Sequence, residues 1–137
     1  MKKMCFGSIV LMLAVSSFSF GQTASKTDLS KLVGTWKVDL RPTPDAAEYF
    51  QEFVITKFDG KTFTGTFYGA PIKGGVVNTD WETVYLAFTS EDGSGLYAHF
   101  ATLEGNKLKG ATNSTGRGFL MPWRAEKKAE TPKAVTK

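Results

Sequence analysis

The sequence predicts an all-β domain, an eight-stranded antiparallel up-and-down β-barrel. Beyond residue 32, no segment keeps the 3.6-residue apolar period of an amphipathic helix. Short β-branched and aromatic segments recur instead, separated by glycine, asparagine and aspartate. The connections between them are short enough to join neighbouring antiparallel strands, and closing such a meander leaves no exposed edge strand. A β-sandwich of two four-stranded sheets is the alternative.

The first 21 residues are typical of a secretory signal peptide. Lys2 and Lys3 precede an apolar stretch, 6–15, that is too short to span a bilayer as a stable helix. Ser19 and Gly21 are the small residues that predict cleavage after Gly21. We therefore expect an exported protein, periplasmic or secreted, without a stable membrane anchor. A retained anchor is the alternative.

The basic charge of the chain lies outside the predicted domain. The formal net charge is +4, of which the leader contributes two and residues 127–137 a surplus of three, so residues 22–126 carry −1. A nearly neutral domain does not favour nucleic acid as a partner. Residues 127–137 also lack aromatic side chains, which predicts a disordered basic tail.

Residues 22–31 form a polar lead-in, in which Asp28 or Ser30 would cap a single helical turn. Residues 32–126 are then the barrel. The single cysteine, Cys5, lies in the predicted leader, so the mature chain has no disulfide, thiolate nucleophile or thiolate metal site. With one histidine in addition, we expect no metal and no cofactor.

The eight predicted strands alternate with glycine-containing turns. The strands lie at 34–40, 48–58, 61–69, 73–78, 82–90, 95–103, 106–114 and 118–126. The best-marked turns are FDGK at 58–61, SEDGSG at 90–95 and EGNK at 104–107. Asp-Gly between alternating segments is a strong hairpin signal, because the central residues of such turns must accept positive φ. The longest connection, 41–48, contains two prolines that end the first strand.

Alternation along each strand assigns the side chains that face the barrel interior. The predicted inward residues are Trp36, Val38 and Leu40 in the first strand, Phe63, Gly65 and Phe67 in the third, Val84, Leu86 and Phe88 in the fifth, Leu96, Ala98 and Phe100 in the sixth, and Phe119, Met121 and Trp123 in the eighth. The second strand is ambiguous because Phe53, Val54 and Ile55 are apolar on both faces.

The motif GTW in the first strand and WR in the last strand resemble the lipocalin and calycin pattern. In that family, the first-strand tryptophan closes one end of the barrel and an arginine of the last strand packs across it. The resemblance covers nearly all of 32–126. It implies that Gly34, Trp36, Trp123 and Arg124 close the barrel, with Trp36 as the plug and Arg124 as its cover.

The segment DGKTFTGTFYG, at 59–69, has a weaker resemblance to avidin-type barrels. The domain as a whole resembles small secreted bacterial lipocalin-like domains. It departs from the usual lipocalin in its shorter length and in lacking a predicted C-terminal helix and any possible disulfide. The biotin-contacting residues of avidin cannot be mapped onto this sequence, so biotin binding is not implied.

The composition leaves two alternatives for the barrel interior. An eight-stranded barrel is just wide enough to be filled by side chains or to hold one small ligand. Residues 22–137 contain eight Phe, three Trp and four Tyr, which favours a filled core. Small strand residues favour a cavity, since Gly65, Ala87, Ala98 and Gly110 leave room.

If a cavity exists, loops within 68–81 and 112–119 form its mouth. The residues there most able to orient a ligand are Tyr68, Asn78, Asp80, Trp81 and Arg117. Arg117 would suit an acid group, or would be a solvated loop charge. Asparagine and aspartate are also ordinary turn residues, and Trp81 could cap the core.

The only histidine, His99, pairs with Tyr85 when residues are counted across the turn at 90–95. This register places Tyr85, Tyr97 and His99 on the outer face of the barrel. Such an exposed cluster would be a contact in a homo-oligomer or with another protein. A local cross-strand ladder is the alternative.

Three functions follow from these observations. The leading hypothesis is an exported, non-enzymatic barrel that binds a small apolar ligand in or at the mouth of the barrel. The second is a protein-interaction or inhibitor module that uses the outer face or the loops. The third is an enzyme, for which Asp80 and Glu82 are the only pair of carboxylates that we would test.

Overall fold

Nine strands and one short 3₁₀ helix make up residues 27–130, the part of the chain that a computed structural model describes. The elements are the 3₁₀ helix Leu29–Leu32 and the strands β1 (Gly34–Asp39), β2 (Phe50–Asp59), β3 (Thr62–Phe67), β4 (Ala70–Pro71), β5 (Lys73–Asn78), β6 (Tyr85–Asp92), β7 (Gly95–Glu104), β8 (Lys107–Ser114) and β9 (Phe119–Lys127). Within these residues, no helix is long and apolar enough to span a membrane. The predicted signal peptide, residues 22–26 of the predicted polar lead-in and the last seven residues of the predicted tail lie outside the described part.

The strands close into a ring. Each of β5 to β8 pairs antiparallel with the next strand, β9 pairs with β1, β1 with β2, and β2 with β3. A single pair, Thr62 with Val76, joins β3 to β5 and completes the barrel. The predicted eight-stranded up-and-down barrel is therefore confirmed, and the sandwich alternative is wrong. The two-residue strand β4, which folds back on β3, was not predicted.

The barrel has two distinct ends. The helix end carries the 3₁₀ helix, the loop 79–84 and the starts of β1, β3, β6 and β8. The opposite end, here called the cavity end, carries the connections 40–49, 68–72, 93–94 and 115–118. The eight strands of the ring alternate in direction along the chain, so a segment that includes one of them begins at one end of the barrel and finishes at the other.

The three best-marked turns form hairpins with two-residue loops, as their Asp-Gly and Gly-Asn signals predict. The paired residues on either side are Asp59 with Thr62, Asp92 with Gly95, and Glu104 with Lys107. Asp28 caps the 3₁₀ helix by accepting a hydrogen bond from the Ser30 backbone N–H at 3.0 Å. The predicted capped turn is thus confirmed.

The inward faces of most strands agree with the alternation. The predicted first, third, fifth and eighth strands are β1, β3, β6 and β9, and their inward faces are as predicted, although Phe119 and Met121 are only half-buried. In β2, where the prediction was ambiguous, the buried residues are Phe53 and Ile55. Phe53 stacks on Phe88 with ring centroids 5.0 Å apart, and Phe67 packs against Trp123 at 5.5 Å. These rings fill the middle of the barrel.

The inward face of β7 is the opposite of the predicted one. Leu96 and Phe100 are 56% and 58% exposed, whereas Tyr97 and His99 are buried. The cause is register, because β6 and β7 continue to Asp92 and Gly95 and so pair Phe88, instead of Tyr85, with His99. That shift of three residues is odd, and an odd shift turns every side chain of a strand to the other face.

The helix end is closed by Trp36, as the resemblance implies. Trp36 is buried, and its indole Nε1 donates to the Leu32 carbonyl oxygen at 3.0 Å. Gly34 has φ +131°, and a Cβ at this position would lie 3.1 Å from Lys127 Cε. The glycine two residues before this tryptophan is therefore required by its backbone conformation, whereas the nearby lysine side chain could move to make room.

The cation opposite Trp36 is Lys127, so the expectation that Arg124 covers Trp36 is wrong. Trp123 and Ala125 are buried, and alternation therefore turns Arg124 outward, where it is exposed. Lys127 lies on the same face of β9 as Trp123 and Ala125 and pairs with Trp36. Its Nζ donates a hydrogen bond to the Lys31 carbonyl oxygen at 2.7 Å. Trp123, expected to help close the barrel, lies among the core rings.

Candidate ligand-binding site

A cavity of about 240 Å³ lies at the cavity end of the barrel. Its walls are apolar and aromatic, its inner part carries three buried polar side chains, and its rim carries charges. The lining residues are Leu40, Tyr49, Phe67, Tyr68, Ala70, Ser90, Glu91, Asp92, Tyr97, His99, Thr112, Arg117, Phe119 and Met121. The barrel is therefore filled in its middle and hollow at one end, which combines the two alternatives left open by the composition.

A chain of hydrogen bonds crosses the inner part of the cavity. Ser90 Oγ lies 2.8 Å from His99 Nε2, and Thr112 Oγ1 lies 2.8 Å from His99 Nδ1. The Trp123 indole Nε1 then donates to Thr112 Oγ1 at 3.0 Å. All four side chains are buried. We call Ser90, His99, Thr112 and Trp123 the inner polar chain.

His99 is neutral in the folded protein at physiological pH. Its side chain is 2% exposed, and burial lowers its pKa to about 4. The ring packs between aromatic neighbours, with centroids 4.3 Å from Phe67 and 4.6 Å from Phe88. An uncharged imidazole donates from one nitrogen and accepts at the other, and a hydroxyl partner can serve either nitrogen.

Arg117 lies at the mouth of the cavity. Its Nη1 donates to the Tyr97 hydroxyl at 3.1 Å, and its guanidinium lies 5.3 Å from the centre of the Phe119 ring. The hydrogen bond to Tyr97 raises the pKa of Arg117. The rim thus holds a fixed cation over an aromatic surface, a position from which it can contact a ligand without entering the interior.

A second feature of the mouth is the pair Tyr49 and Tyr68, whose hydroxyl groups are hydrogen-bonded. That bond raises the pKa of Tyr68. Tyr68 has φ +54° and precedes Gly69 at φ +78°, so the two central residues of the β3–β4 turn are both left-handed. A non-glycine residue in this region costs about 1 kcal/mol or more, and such strain is often found at ligand sites.

The structure separates the five predicted ligand-binding residues into two groups. Tyr68 and Arg117 both line the cavity, whereas Asn78, Asp80 and Trp81 lie at the helix end. The segment 68–81 contains all of β5 and therefore runs the length of the barrel. The prediction that all five share one mouth is wrong for this reason.

At the helix end, the three remaining candidates make turn and surface contacts. Asn78 Oδ1 accepts a hydrogen bond from the Asp80 backbone N–H at 2.9 Å, and the Asp80 carboxylate pairs with Lys61 Nζ at 2.8 Å. Trp81 is 74% exposed, so it does not cap the core. Glu82, the other carboxylate of the pair that we would have tested for catalysis, is exposed as well.

The outer face carries a different surface from the predicted aromatic cluster. Tyr85 is exposed as expected, but Tyr97 and His99 face the interior, so the three do not form one outer patch. Instead, one row of paired residues crosses five strands: Val76, Ala87, Phe100, Ala111 and Pro122. We call this the outer apolar row. It borders an open groove of about 590 Å³.

Sequence reasoning missed the roles of Ser90, His99 and Thr112. Each is polar, and a polar residue in an alternating strand is ordinarily assigned to the solvent face. The register between β6 and β7 could have located them, because the correct register pairs Ser90 with the inward-facing Tyr97. Among residues 27–130, no cluster of three or more His, Cys, Asp or Glu side chains could hold a metal ion.

The closed barrel is compatible with calycin-like folds. Comparison of the chain with protein-family models, curated proteins and solved structures finds no match. The function must therefore be argued from the geometry of the cavity. That geometry offers apolar walls, a neutral hydrogen-bonding interior and a cation at the rim.

Proposed function

We propose that this protein is an exported, lipocalin-like barrel that binds a small, largely apolar molecule in its end cavity and does not convert it chemically. The observation that carries the proposal is the hollow cavity end of an otherwise filled barrel. A closed barrel that needed only to be stable would fill this space with side chains, because an interior cavity costs stability.

The size and lining of the cavity support a ligand of one or two rings. An apolar protein cavity of about 150 Å³ accommodates benzene, and drug-sized ligands occupy about 300 Å³ or more. The cavity here is about 240 Å³ and opens at its rim. Its walls include Leu40, Phe67, Phe119 and Met121, which would contact the apolar body of such a ligand.

Binding without catalysis is favoured by the protonation and placement of the polar groups. His99 is the only histidine in the chain, and its lowered pKa makes it a weak base. A general base works best with a pKa near the operating pH. Glu91 and Asp92 lie at the rim, and the inner polar chain includes no carboxylate.

Two measurements test the proposal. Native mass spectrometry of the full-length exported product, purified without denaturation, should detect a bound molecule that denaturation releases. Calorimetric titration with naphthalene should show one saturable site. Ala70→Trp, which places an indole at the mouth, should abolish the naphthalene signal, whereas Trp81→Ala at the opposite end should leave it unchanged. Equal loss of binding in both variants, or none in either, contradicts a site in this cavity.

The outer apolar row favours a second candidate function, self-association. An apolar row without charges of its own can pair with a second copy of itself, and symmetric dimers are the commonest oligomers. Phe100, at its centre, is 58% exposed. Sedimentation velocity should then give a dimer that Phe100→Asp converts to monomer. A monomer at every protein concentration would exclude this function.

A further inference from the structure

The inner polar chain has one donor proton more than the number of hydrogen bonds that connect its side chains. The four side chains provide four donor protons: the Trp123 N–H, the Thr112 and Ser90 hydroxyls, and one ring N–H of neutral His99. Three hydrogen bonds connect them, and each uses one proton. One hydroxyl proton is therefore left over.

The unused proton belongs to a hydroxyl group of a cavity-lining residue for either position of the histidine hydrogen. When Nε2 carries the hydrogen, it donates to Ser90, Thr112 donates to Nδ1, and the Ser90 hydroxyl proton is free. When Nδ1 carries it, Ser90 donates to Nε2 and the Thr112 proton is free. Ser90 and Thr112 both line the cavity, and neither hydroxyl makes a further hydrogen bond among residues 27–130.

We propose that the bound molecule carries a neutral oxygen acceptor, of the ketone, aldehyde, ester or amide type, at the end that enters the cavity first. This inference rests on the proposed function. A water molecule can accept the unused proton in the free protein, but a ligand that displaces it must accept the proton or leave a buried donor unsatisfied.

The charges around the cavity favour a neutral oxygen over a carboxylate. His99 is uncharged because its burial lowers its pKa, and Ser90 and Thr112 carry no charge. The cationic lining residue, Arg117, is at the rim and already bonds Tyr97. A carboxylate in the interior would be buried without a paired cation, which is costly.

A matched pair of probes tests the inference. Acetophenone and cumene have the same number and connectivity of heavy atoms, but only acetophenone has a carbonyl oxygen. Replacing the cavity-facing polar residues together, S90A/H99F/T112V, should reduce the ratio of acetophenone affinity to cumene affinity about tenfold. Arg117→Gln replaces the guanidinium at the rim, which is the other group that could donate to the carbonyl oxygen. The ratio of the two affinities should stay at its wild-type value in that variant.

The carbonyl stretching frequency gives a readout that survives if the triple variant does not fold. Bound ¹³C-carbonyl acetophenone should absorb at a lower frequency than acetophenone in hexane, in both the wild type and Arg117→Gln. A hexane-like frequency in either protein, or an unchanged affinity ratio in the triple variant, overturns the inference while leaving the proposed function intact. If neither probe binds the wild type, the proposed function and this inference both fail.

Discussion

Burial of His99 should make the folding stability of this protein sensitive to mild acid. The pKa of His99 is lowered from 6.5 to about 4 in the folded protein. The unfolded chain therefore binds a proton at a higher pH than the folded chain does. The stabilisation is complete above about pH 6.5 and is lost as the pH falls toward about 4.

Proton linkage gives the size of this effect. With these two pKa values, the free energy of unfolding falls by about 2 kcal/mol between about pH 7 and about pH 5. His99 is the only histidine in the chain, so no other side chain has an ordinary pKa inside this interval. Four carboxyl groups also have lowered pKa values, and their contribution is lost mainly at lower pH: Asp28, Asp39, Glu91 and Glu126.

Urea unfolding followed by tryptophan fluorescence, repeated at several pH values, measures this loss. His99→Gln is the comparison variant, because glutamine does not titrate. The variant should be less stable than the wild type at neutral pH but should lose much less free energy between pH 7 and 5. If both proteins lose the same amount, His99 is not held neutral in the folded state, and the proton count of the inner polar chain is wrong.

Substitutions around β8 should separate required contacts from dispensable ones in the same unfolding assay. Thr112→Val removes two buried hydrogen bonds and should cost about 2–3 kcal/mol. Ser114→Ala should stabilise the protein or change stability by less than about 1 kcal/mol, because the buried Ser114 Oγ has no hydrogen-bond partner among the described residues. Gly110→Ala should cost at least about 2 kcal/mol, because its Cβ would lie 2.4 Å from Trp123 Cζ2, whereas Gly116→Ala enters open space and should be neutral.

The barrel could be predicted from the sequence because the features that indicate it lie within single strands and the turns between adjacent strands. Apolar alternation in β1 and β3 is set by side chains two residues apart, and the glycine turns lie between adjacent strands. The inward face of β7 could not be predicted in this way. His99 is buried because Ser90 and Thr112, on the two neighbouring strands, satisfy its nitrogens. That reason exists only after the strands are paired.

The cation opposite Trp36 and the candidate site were also predictable only in their local features. A resemblance in motif placed Arg124 over Trp36, but the parity of β9 turns Arg124 outward and brings Lys127 to that position. Tyr68 and Arg117 were predicted as ligand contacts because of their loop chemistry, and both line the cavity. The sequence did not show that residues 68 and 81 lie at opposite ends of the barrel, because that depends on the strand β5 between them.

The most direct test of the account is whether a small apolar molecule contacts the cavity wall. Met121 lines the cavity and is the only methionine in residues 27–130, so its ¹³C-labelled methyl group is a specific reporter. Titration with naphthalene should shift the Met121 methyl resonance and give nuclear Overhauser contacts between this methyl group and the naphthalene protons. Binding of naphthalene that leaves the Met121 resonance unshifted and without such contacts would contradict the account.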